Sequence, residues 1–201
     1  MEWAPRRRVR DLGRVQFLSD QQSRRKGDAG ALITNSEEIT ERVKTLRNCG
    51  TARRYEHPEA GLNSRLDELQ AAILSARLDW LGEFTRRRQE IARKYLNTID
   101  NGRIELLSPP NAEQSHVYHL FVIRCAERDR LAHFLDEHGI ETLIHYPLPV
   151  HRQRCCKNAR CDSRGLSAAA SHADQCLSLP CHPQLHDDDA AKITATINQF
   201  E

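Results

Sequence analysis

Residues 61–74 read GLNSRLDELQAAIL and join a polar loop to the first turns of an apolar helix. The run from Ser64 to Asp67 has the hydroxyl and carboxylate side chains that are typical of a helix start. Apolar residues then recur at helical spacing and predict one buried face: Leu66, Leu69, Ile73 and Ala76. The same face continues as far as Tyr95, and we expect Gly82 to bend or break this long helix.

Two polar side chains at this helix start are candidates for binding an anion. The amide of Asn63 and the guanidinium of Arg65 lie where the first helical N–H groups have no partner within the helix. Together these donors predict a phosphate site. The residues also allow a purely structural interpretation. In it, Asn63 and Ser64 cap the helix, and Arg65 pairs with Asp67 or Glu68 on the surface.

Upstream of this motif, the pattern predicts a strand, a helix and a loop. Residues 29–34 are short and apolar, which is typical of a buried strand. Asn35 and Glu38 are spaced as a capping box at the start of the helix that follows. The helix should end at Gly50, and residues 51–62 form a polar loop.

Downstream, strand-forming and helix-forming segments alternate. We expect a well-covered strand over 116–125, a helix over 128–138 that Gly139 ends, and a second strand over 140–144. A helix over 166–177 and a last helix from Asp187 follow. Strands interleaved with helices predict an α/β (α+β) fold.

A loop stiffened by two prolines follows the second strand and reads IHYPLPVH at residues 144–151. It presents His145, Tyr146 and His151 as candidate binding side chains, because a rigid loop at a strand end holds polar groups in fixed positions. The alternative is a rigid crossover with ordinary surface histidines. We interpret His116 and His119 as structural, and no GxSxG nucleophile elbow occurs.

Composition excludes several classes of protein. The 201 residues are 39% hydrophobic and 29% charged, as in a globular protein. With 30 Lys+Arg against 28 Asp+Glu and only 5% aromatic residues, the chain should not bind nucleic acid. No apolar run approaches the length of a membrane span, and no export signal opens the chain, so we expect no membrane association and a cytoplasmic location.

The seven cysteines raise the question of metal binding. Their odd number, without an export signal, predicts free thiols instead of a disulfide framework. The cluster from Cys155 to His182 could supply zinc ligands, but it has no CxxC pair. We therefore expect no metal, and a zinc-binding module remains as an alternative.

Residues 1–26 are basic and show neither helical nor strand periodicity. They are interpreted as an irregular segment. A nucleic-acid-binding arm is the functional alternative, although no aromatic or amphipathic pattern accompanies the charge.

Six pieces of the sequence, in this order, resemble the C-terminal half of the DegT/DnrJ/StrS family of sugar aminotransferases. They are GDAGALITNSEEI (27–39), RVKTLRNCG (42–50), GLNSRLDELQAAIL (61–74), HVYHLFVIR (116–124), IHYPLPVH (144–151) and LSLPCHP (177–183). The resemblance implies a fold-type I pyridoxal 5'-phosphate enzyme. Residues 27–60 would be a remnant of its larger, cofactor-binding domain, and residues 61–201 would be its C-terminal small domain.

The resemblance also implies a reaction and a set of site residues. Family members transfer an amino group, usually from glutamate, to a keto-sugar carried by a nucleotide, and they work as dimers with active sites at the subunit boundary. Asn63 would reach the cofactor phosphate of the neighbouring subunit. Arg65, His145, Tyr146 and His151 would lie toward the substrate. The implied partner is a second copy or a full-length homologue.

Two departures from the family pattern alter this expectation. The family's larger domain should precede Gly27, but it is absent from this sequence. The lysine that forms the Schiff base is expected at position 21, where this chain has Gln21. A glutamine side chain cannot form an imine. We therefore expect this chain to be catalytically inactive by itself. The alternative is a non-catalytic dimerising or binding subunit that completes the active site of a partner.

A reading-frame shift accounts for the character of residues 1–26. If the codons of residues 13–25 are read one base forward, they can encode AAFSFYPT followed by NLGA, which resembles the family sequence before its GDxGA motif. We therefore hypothesise that this segment is out of frame, although even the shifted codon at Gln21 gives Asn or Ser and no lysine. Native codons whose shifted translation lacks AAFSFYPT would refute the hypothesis.

Overall fold

The structure is a computed structural model that describes residues 13–17, 29–108, 110, 115–156, 158, 162 and 165–201. The chain forms two compact units, Met1–Trp80 (unit 1) and Leu81–Glu201 (unit 2). The sequence places a domain boundary between residues 60 and 61, so the division into compact units falls later in the chain.

Unit 1 contains a two-stranded antiparallel ribbon of β1 (Gly13–Phe17) and β2 (Ala29–Ile33). The prediction of an irregular segment up to residue 26 is therefore wrong for β1. Strand β2 is confirmed, but it is not buried, since Leu32 and Ile33 are 39% and 36% exposed. Two paired strands satisfy each other's backbone, whereas their side-chain faces need further elements to cover them.

The first helix, α1 (Glu37–Arg47), begins one residue later than the predicted capping box implies. Its N-cap is Ser36, whose Oγ accepts a hydrogen bond from the Ile39 N–H at 3.3 Å. Asn35 therefore precedes the cap. A serine hydroxyl at this position satisfies one of the free N–H groups of the first turn, as an asparagine amide would.

The second helix, α2 (Glu68–Leu78), begins after Asp67 instead of at Ser64. Leu66 has a φ of 65°, in the left-handed region that an α-helix cannot use, so the chain becomes helical only beyond it. The predicted apolar face is largely exposed, with Leu69 73% and Ile73 42% accessible. The helix ends at Leu78, and Gly82 lies inside the next helix, so the predicted break at Gly82 is wrong by a few residues.

Unit 2 is a three-stranded antiparallel sheet with helices packed on it. The strand order is β3-β4-β5. Its elements in chain order are α3 (Leu81–Thr98), β3 (Ile104–Leu106), β4 (Phe121–Cys125), α4 (Arg128–Glu137), α5 (Ser167–Gln175), β5 (Cys176–Leu179) and α6 (Asp187–Asn198). Two short 3-10 turns, Val150–Arg152 and Arg154–Cys156, lie between α4 and α5.

The predicted strand over 116–125 is shorter in the structure and starts at Phe121. Tyr118 has a φ of 46°, which extended strands do not adopt, so the ladder cannot extend back through it. The predicted strand over 140–144 is reduced to a single bridge between Leu143 and Ser178. The predicted helix over 166–177 ends at Gln175, because the residues after it pair with β4 as β5.

The helices α4 and α6 form as expected. Gly139 has a φ of 73° and follows α4 in the left-handed conformation that commonly ends helices. Asp187 opens α6, and the acidic first turn of this helix opposes the positive end of its dipole. In the part of the chain that the structure describes, no helix combines the length and hydropathy needed to span a membrane.

The core of unit 2 lies between the sheet and the helices α3, α4 and α6. Its largest fully buried side chains are Tyr95, Ile91, Ile123, Leu131, Leu135, Leu177, Ile197 and Cys176. The rings of Tyr95 and Phe121 meet edge to face, with centroids 5.0 Å apart. Each buried aliphatic side chain of this kind stabilises a fold by about 1.5–3 kcal/mol.

Candidate functional site

The loop that contains Asn63 is held against the end of α1 by backbone hydrogen bonds. The Leu62 N–H donates to the Leu46 carbonyl at 2.8 Å, and the Ser64 N–H donates to the Arg47 carbonyl at 2.9 Å. Asn63 lies between these two bonds. Its backbone position is therefore fixed by the helix end, although its side chain is exposed.

Two glycines permit this close packing of the loop. Gly50 has a φ of 76°, and a Cβ built on it would lie 1.8 Å from the carbonyl oxygen of Glu59. A Cβ on Gly61 would lie 2.1 Å from the Gly50 nitrogen. Both positions therefore require glycine. In the sequence, Gly50 predicts only the end of a helix, and Gly61 carries no signal of a packing role.

Asn63 and Arg65 lie side by side. The Arg65 Nε donates to the Asn63 Oδ1 at 3.1 Å, and the Arg47 guanidinium donates to the Arg65 carbonyl. Asn63 does not cap α2, whose N-cap is Asp67. The exposed Asn63 side chain accepts this bond through its oxygen and also carries an Nδ2 donor, so an amide donor lies beside a cation, an arrangement suited to an anion.

In the predicted loop of unit 2, a hydrogen bond to Ser178 holds the His145 side chain in position. The His145 Nδ1 and the Ser178 Oγ lie 2.9 Å apart, and the Ser178 backbone exchanges two bonds with Leu143, at 2.7 and 3.2 Å. Ser178 is buried, whereas His145 is half-buried. A hydrogen bond at Nδ1 fixes the ring orientation and leaves Nε2 for another partner.

The other two predicted side chains of the loop differ in position. Tyr146 is 72% exposed, and its ring centroid lies 5.5 Å from that of His145. His151 lies on the separate 3-10 turn Val150–Arg152 and is half-buried. The structure thus brings His145 and Tyr146 together in unit 2, and Asn63 and Arg65 together in unit 1. Gln21 lies outside the described residues.

A buried arginine outside the predicted sites joins the chain segments around the sheet by hydrogen bonds. Arg88 is 4% exposed, and its Nη1 donates to the carbonyls of Tyr118, His119 and Cys181 at 3.3, 2.9 and 2.5 Å. These carbonyls precede β4 and follow β5. The signal was available, because Arg88 is three residues before Ile91 and so shares its buried helix face.

The titratable groups around Arg88 are held neutral. Burial, and then the charge of Arg88, lower the pKa of His119, so its imidazole is uncharged at neutral pH. Burial raises the pKa of Cys181 to about 11, and the opposing effect of Arg88 is smaller. Both side chains therefore act as neutral packing groups. The expectation that His119 is structural agrees with this environment.

Candidate metal ligands are not clustered in the described part of the chain. There, no group of three or more His, Cys, Asp or Glu side chains is placed to hold a metal ion. Cys161, a member of the sequence cluster considered for zinc, lies outside the described residues.

Comparison with known proteins gives consistent matches over nearly the whole chain. Residues 9–198 match the model of the DegT/DnrJ/EryC1/StrS aminotransferase family. A dTDP-3-amino-3,6-dideoxy-alpha-D-galactopyranose transaminase of Aneurinibacillus thermoaerophilus is 40% identical over 171 residues, which are 85% of this chain and 46% of that protein. The chain thus spans about half the length of the curated relatives that it matches.

Solved structures show the same relation. The crystal structure of DesV from S. venezuelae in complex with a ketimine intermediate has a TM-score of 0.84 and 37% identity, covering 94% of this chain and 51% of DesV. NtdA from Bacillus subtilis, solved with bound PMP, has a TM-score of 0.80 and 26% identity, covering 93% of this chain and 45% of NtdA.

Proposed function

This chain belongs to the DegT/DnrJ/EryC1/StrS aminotransferase family, and we propose that it supplies the C-terminal half of an enzyme that aminates a nucleotide-linked keto-sugar. The family resemblance and the α/β fold class derived from the sequence are confirmed. A relative named as a dTDP-sugar transaminase supports the reaction class, and a PMP-bound neighbour supports the cofactor. Glutamate as amino donor, dimeric assembly and a cytoplasmic location are parts of the proposal.

The observation that carries this proposal is the pairing of Asn63 with Arg65. An exposed amide donor beside a guanidinium, on a loop fixed by backbone bonds, suits the phosphate of pyridoxal 5'-phosphate. When bound, the cofactor supplies the electron sink that amino transfer requires. The role of Asn63 and Arg65 is to hold the phosphate, with Arg65 on the side of the substrate.

The loop around His145 has the features of a substrate contact. Ser178 orients the imidazole, and the exposed phenol of Tyr146 stands next to it. Both groups donate or accept hydrogen bonds, as sugar hydroxyls do. We assign His145 and Tyr146 to substrate binding, and His151 to the same role on the neighbouring turn.

The residues present suit binding of the cofactor phosphate. They do not include a lysine at the position expected to anchor the cofactor covalently. The expected lysine position is occupied by Gln21. Of the described lysines, Lys44 and Lys94 form ion pairs with Glu41 and Asp187, each at 2.7 Å, and Lys192 lies on α6 in unit 2, away in sequence from the expected position. The chain alone therefore should not hold the cofactor covalently, and no catalytic step is assigned to it.

Borohydride trapping tests this part of the proposal. The purified chain is incubated with pyridoxal 5'-phosphate and reduced, and the labelled peptides are identified by mass spectrometry. We expect only sub-stoichiometric labelling spread over surface lysines. One lysine labelled in a one-to-one ratio would show that this chain has a covalent anchor after all.

A second candidate function is that of a subunit completing the active site of a full-length partner. Two features of unit 1 together favour this function. The Asn63–Arg65 pair is exposed, and so are apolar side chains in α2 and just after it. Leu69 is 73% exposed and Trp80 is 55% exposed. Where such side chains form a contiguous patch, the surface is typical of one that binds another protein.

A complementation assay tests the second candidate. A full-length relative is inactivated by replacing its own counterpart of Asn63, and this chain is added. Restored amination of a nucleotide-linked keto-sugar is expected, and Asn63→Ala or Arg65→Ala in this chain should abolish the rescue. Asn35→Ala and Arg53→Ala are matched controls on exposed loop residues. Co-purification without rescue would contradict the completing role, and absence of co-purification would indicate an inert fragment.

A further inference from the structure

Two adjacent thiols form a pair that the proposed amination does not use. The Sγ atoms of Cys155 and Cys156 lie 3.7 Å apart. Cys155 is exposed, and Cys156 is half-buried. Both belong to the 3-10 turn Arg154–Cys156, in which the Cys156 N–H donates to the Gln153 carbonyl at 2.9 Å. The backbone turn therefore holds two sulfur atoms side by side at the surface.

The geometry of neighbouring residues keeps this pair in the dithiol form. Adjacent Cα atoms across a trans peptide are about 3.8 Å apart, whereas disulfides usually join Cα atoms about 4.4–6.8 Å apart. A disulfide between Cys155 and Cys156 would therefore be strained and easily reduced. Both residues are accordingly cysteines outside any disulfide.

Sulfur donors select soft metal and metalloid centres. A structural zinc site needs four ligands, but within the described ranges no cluster of three candidate ligands exists. Two adjacent thiols suit a thiophilic centre of low coordination number.

We propose that Cys155 and Cys156 form a chelating site for thiophilic ligands of the trivalent arsenical class. With phenylarsine oxide, two As–S bonds form and the arsenic–oxygen bond breaks. The oxygen leaves as water with the two thiol protons. Arsenic stays trivalent, so the reaction requires no oxidant or reductant. The site is independent of the proposed amination.

The test is a titration of the full, reduced chain with phenylarsine oxide, followed by intact-protein mass spectrometry. We expect one adduct per chain that survives a monothiol such as 2-mercaptoethanol and is removed by a dithiol such as dimercaptopropanol. Since chelation makes the second bond intramolecular, Cys155→Ser and Cys156→Ser should each weaken binding by about 100-fold or more. Far-UV circular dichroism checks that both variants fold.

Two matched variants make the test decisive. Cys49→Ser removes another exposed thiol, and Cys161→Ser removes the next cysteine in the sequence; neither should change the adduct. A monothiol-resistant adduct that persists in Cys155→Ser or Cys156→Ser would overturn the proposal. Loss of the adduct in Cys161→Ser would also overturn it, because the chelating pair would then include Cys161.

Discussion

The two units of this chain differ in how they are held together. Unit 2 contains the continuous apolar cluster, whose buried members run from Ile91 to Phe200. In unit 1, neither α1 nor α2 contains a buried residue. What holds the described loop of unit 1 is a set of backbone bonds around Gly50 and Gly61. Stability is therefore concentrated in one unit, and the candidate phosphate residues lie in the other.

This difference bears on the proposed function. A side-chain pair on a loop held by backbone bonds has a defined position but little packing around it. Asn63 and Arg65 are both exposed. Segments with few buried contacts open at low free-energy cost and become ordered when a partner covers them. Assembly with another subunit is thus the step that we expect to fix the site.

The largest predicted effect comes from the difference in side-chain burial between the two units. Leu131→Ala removes a fully buried side chain from unit 2 and should lower the free energy of unfolding by about 3 kcal/mol. Leu69→Ala, at a site 73% exposed in unit 1, should change it by less than about 0.5 kcal/mol. Urea unfolding followed by circular dichroism measures both. Equal effects would contradict the contrast between the units.

Arg88→Met tests the three hydrogen bonds that Arg88 donates to carbonyls at the end of the sheet in unit 2. It leaves the carbonyls of Tyr118, His119 and Cys181 without this donor, and we expect a loss of about 3 kcal/mol in the free energy of unfolding. The control is Arg86→Met, which breaks only an exposed pair with Glu90 and should cost about 0.4 kcal/mol. A loss no larger than that of the control would show that these hydrogen bonds do not stabilise the fold.

Gly50→Ala tests the backbone packing of unit 1. The new Cβ would meet the Glu59 carbonyl at 1.8 Å in a left-handed conformation, so we expect about 2 kcal/mol of local destabilisation. Hydrogen exchange at the amides of Leu62 and Ser64 should accelerate. The matched change Gly82→Ala meets no atom within 4 Å and should stabilise α3 by about 0.5–1 kcal/mol. Unchanged exchange in Gly50→Ala would contradict the packing argument.

The smallest predicted effect is a dependence of stability on alkaline pH in unit 2. Burial raises the pKa of Cys181 from 9.0 to about 11, so the folded state keeps its proton longer than the unfolded state. The resulting stability is present below pH 9 and is lost as the pH rises through about 11, with roughly 2 kcal/mol lost by pH 11. Urea unfolding at pH 9 and pH 11 should show a smaller decline in the free energy of unfolding for Cys181→Ala than for the unchanged chain. Parallel declines would refute the raised pKa.

Local patterns in the sequence predicted where helices occur, although α2 begins later and α5 ends earlier than expected. The capping and acidic signals at the starts of α1 and α6, and Gly139 after α4, were sufficient, because these features act over one turn of chain. Strand limits were predicted less well. The positive φ of Tyr118 and the pairing of Cys176–Leu179 with β4 depend on contacts distant in sequence, which periodicity does not encode.

The candidate site shows the same division between local and distant signals. The motifs around Asn63 and His145 were recognisable as such, because their residues are contiguous. The Ser178–His145 hydrogen bond and the buried position of Arg88 join residues far apart in the chain. The role of Gly61 was missed because a close backbone approach leaves no mark in composition.

The most direct test of the account is hydrogen exchange by mass spectrometry on the full chain, alone and mixed with a full-length relative and pyridoxal 5'-phosphate. We predict that residues 61–78 exchange faster than the core strand β5 when the chain is alone. In the mixture, protection should rise over 61–78 and stay constant in β5. If residues 61–78 are already as protected as β5, or gain nothing in the mixture, the central claim that partner assembly fixes this site is wrong.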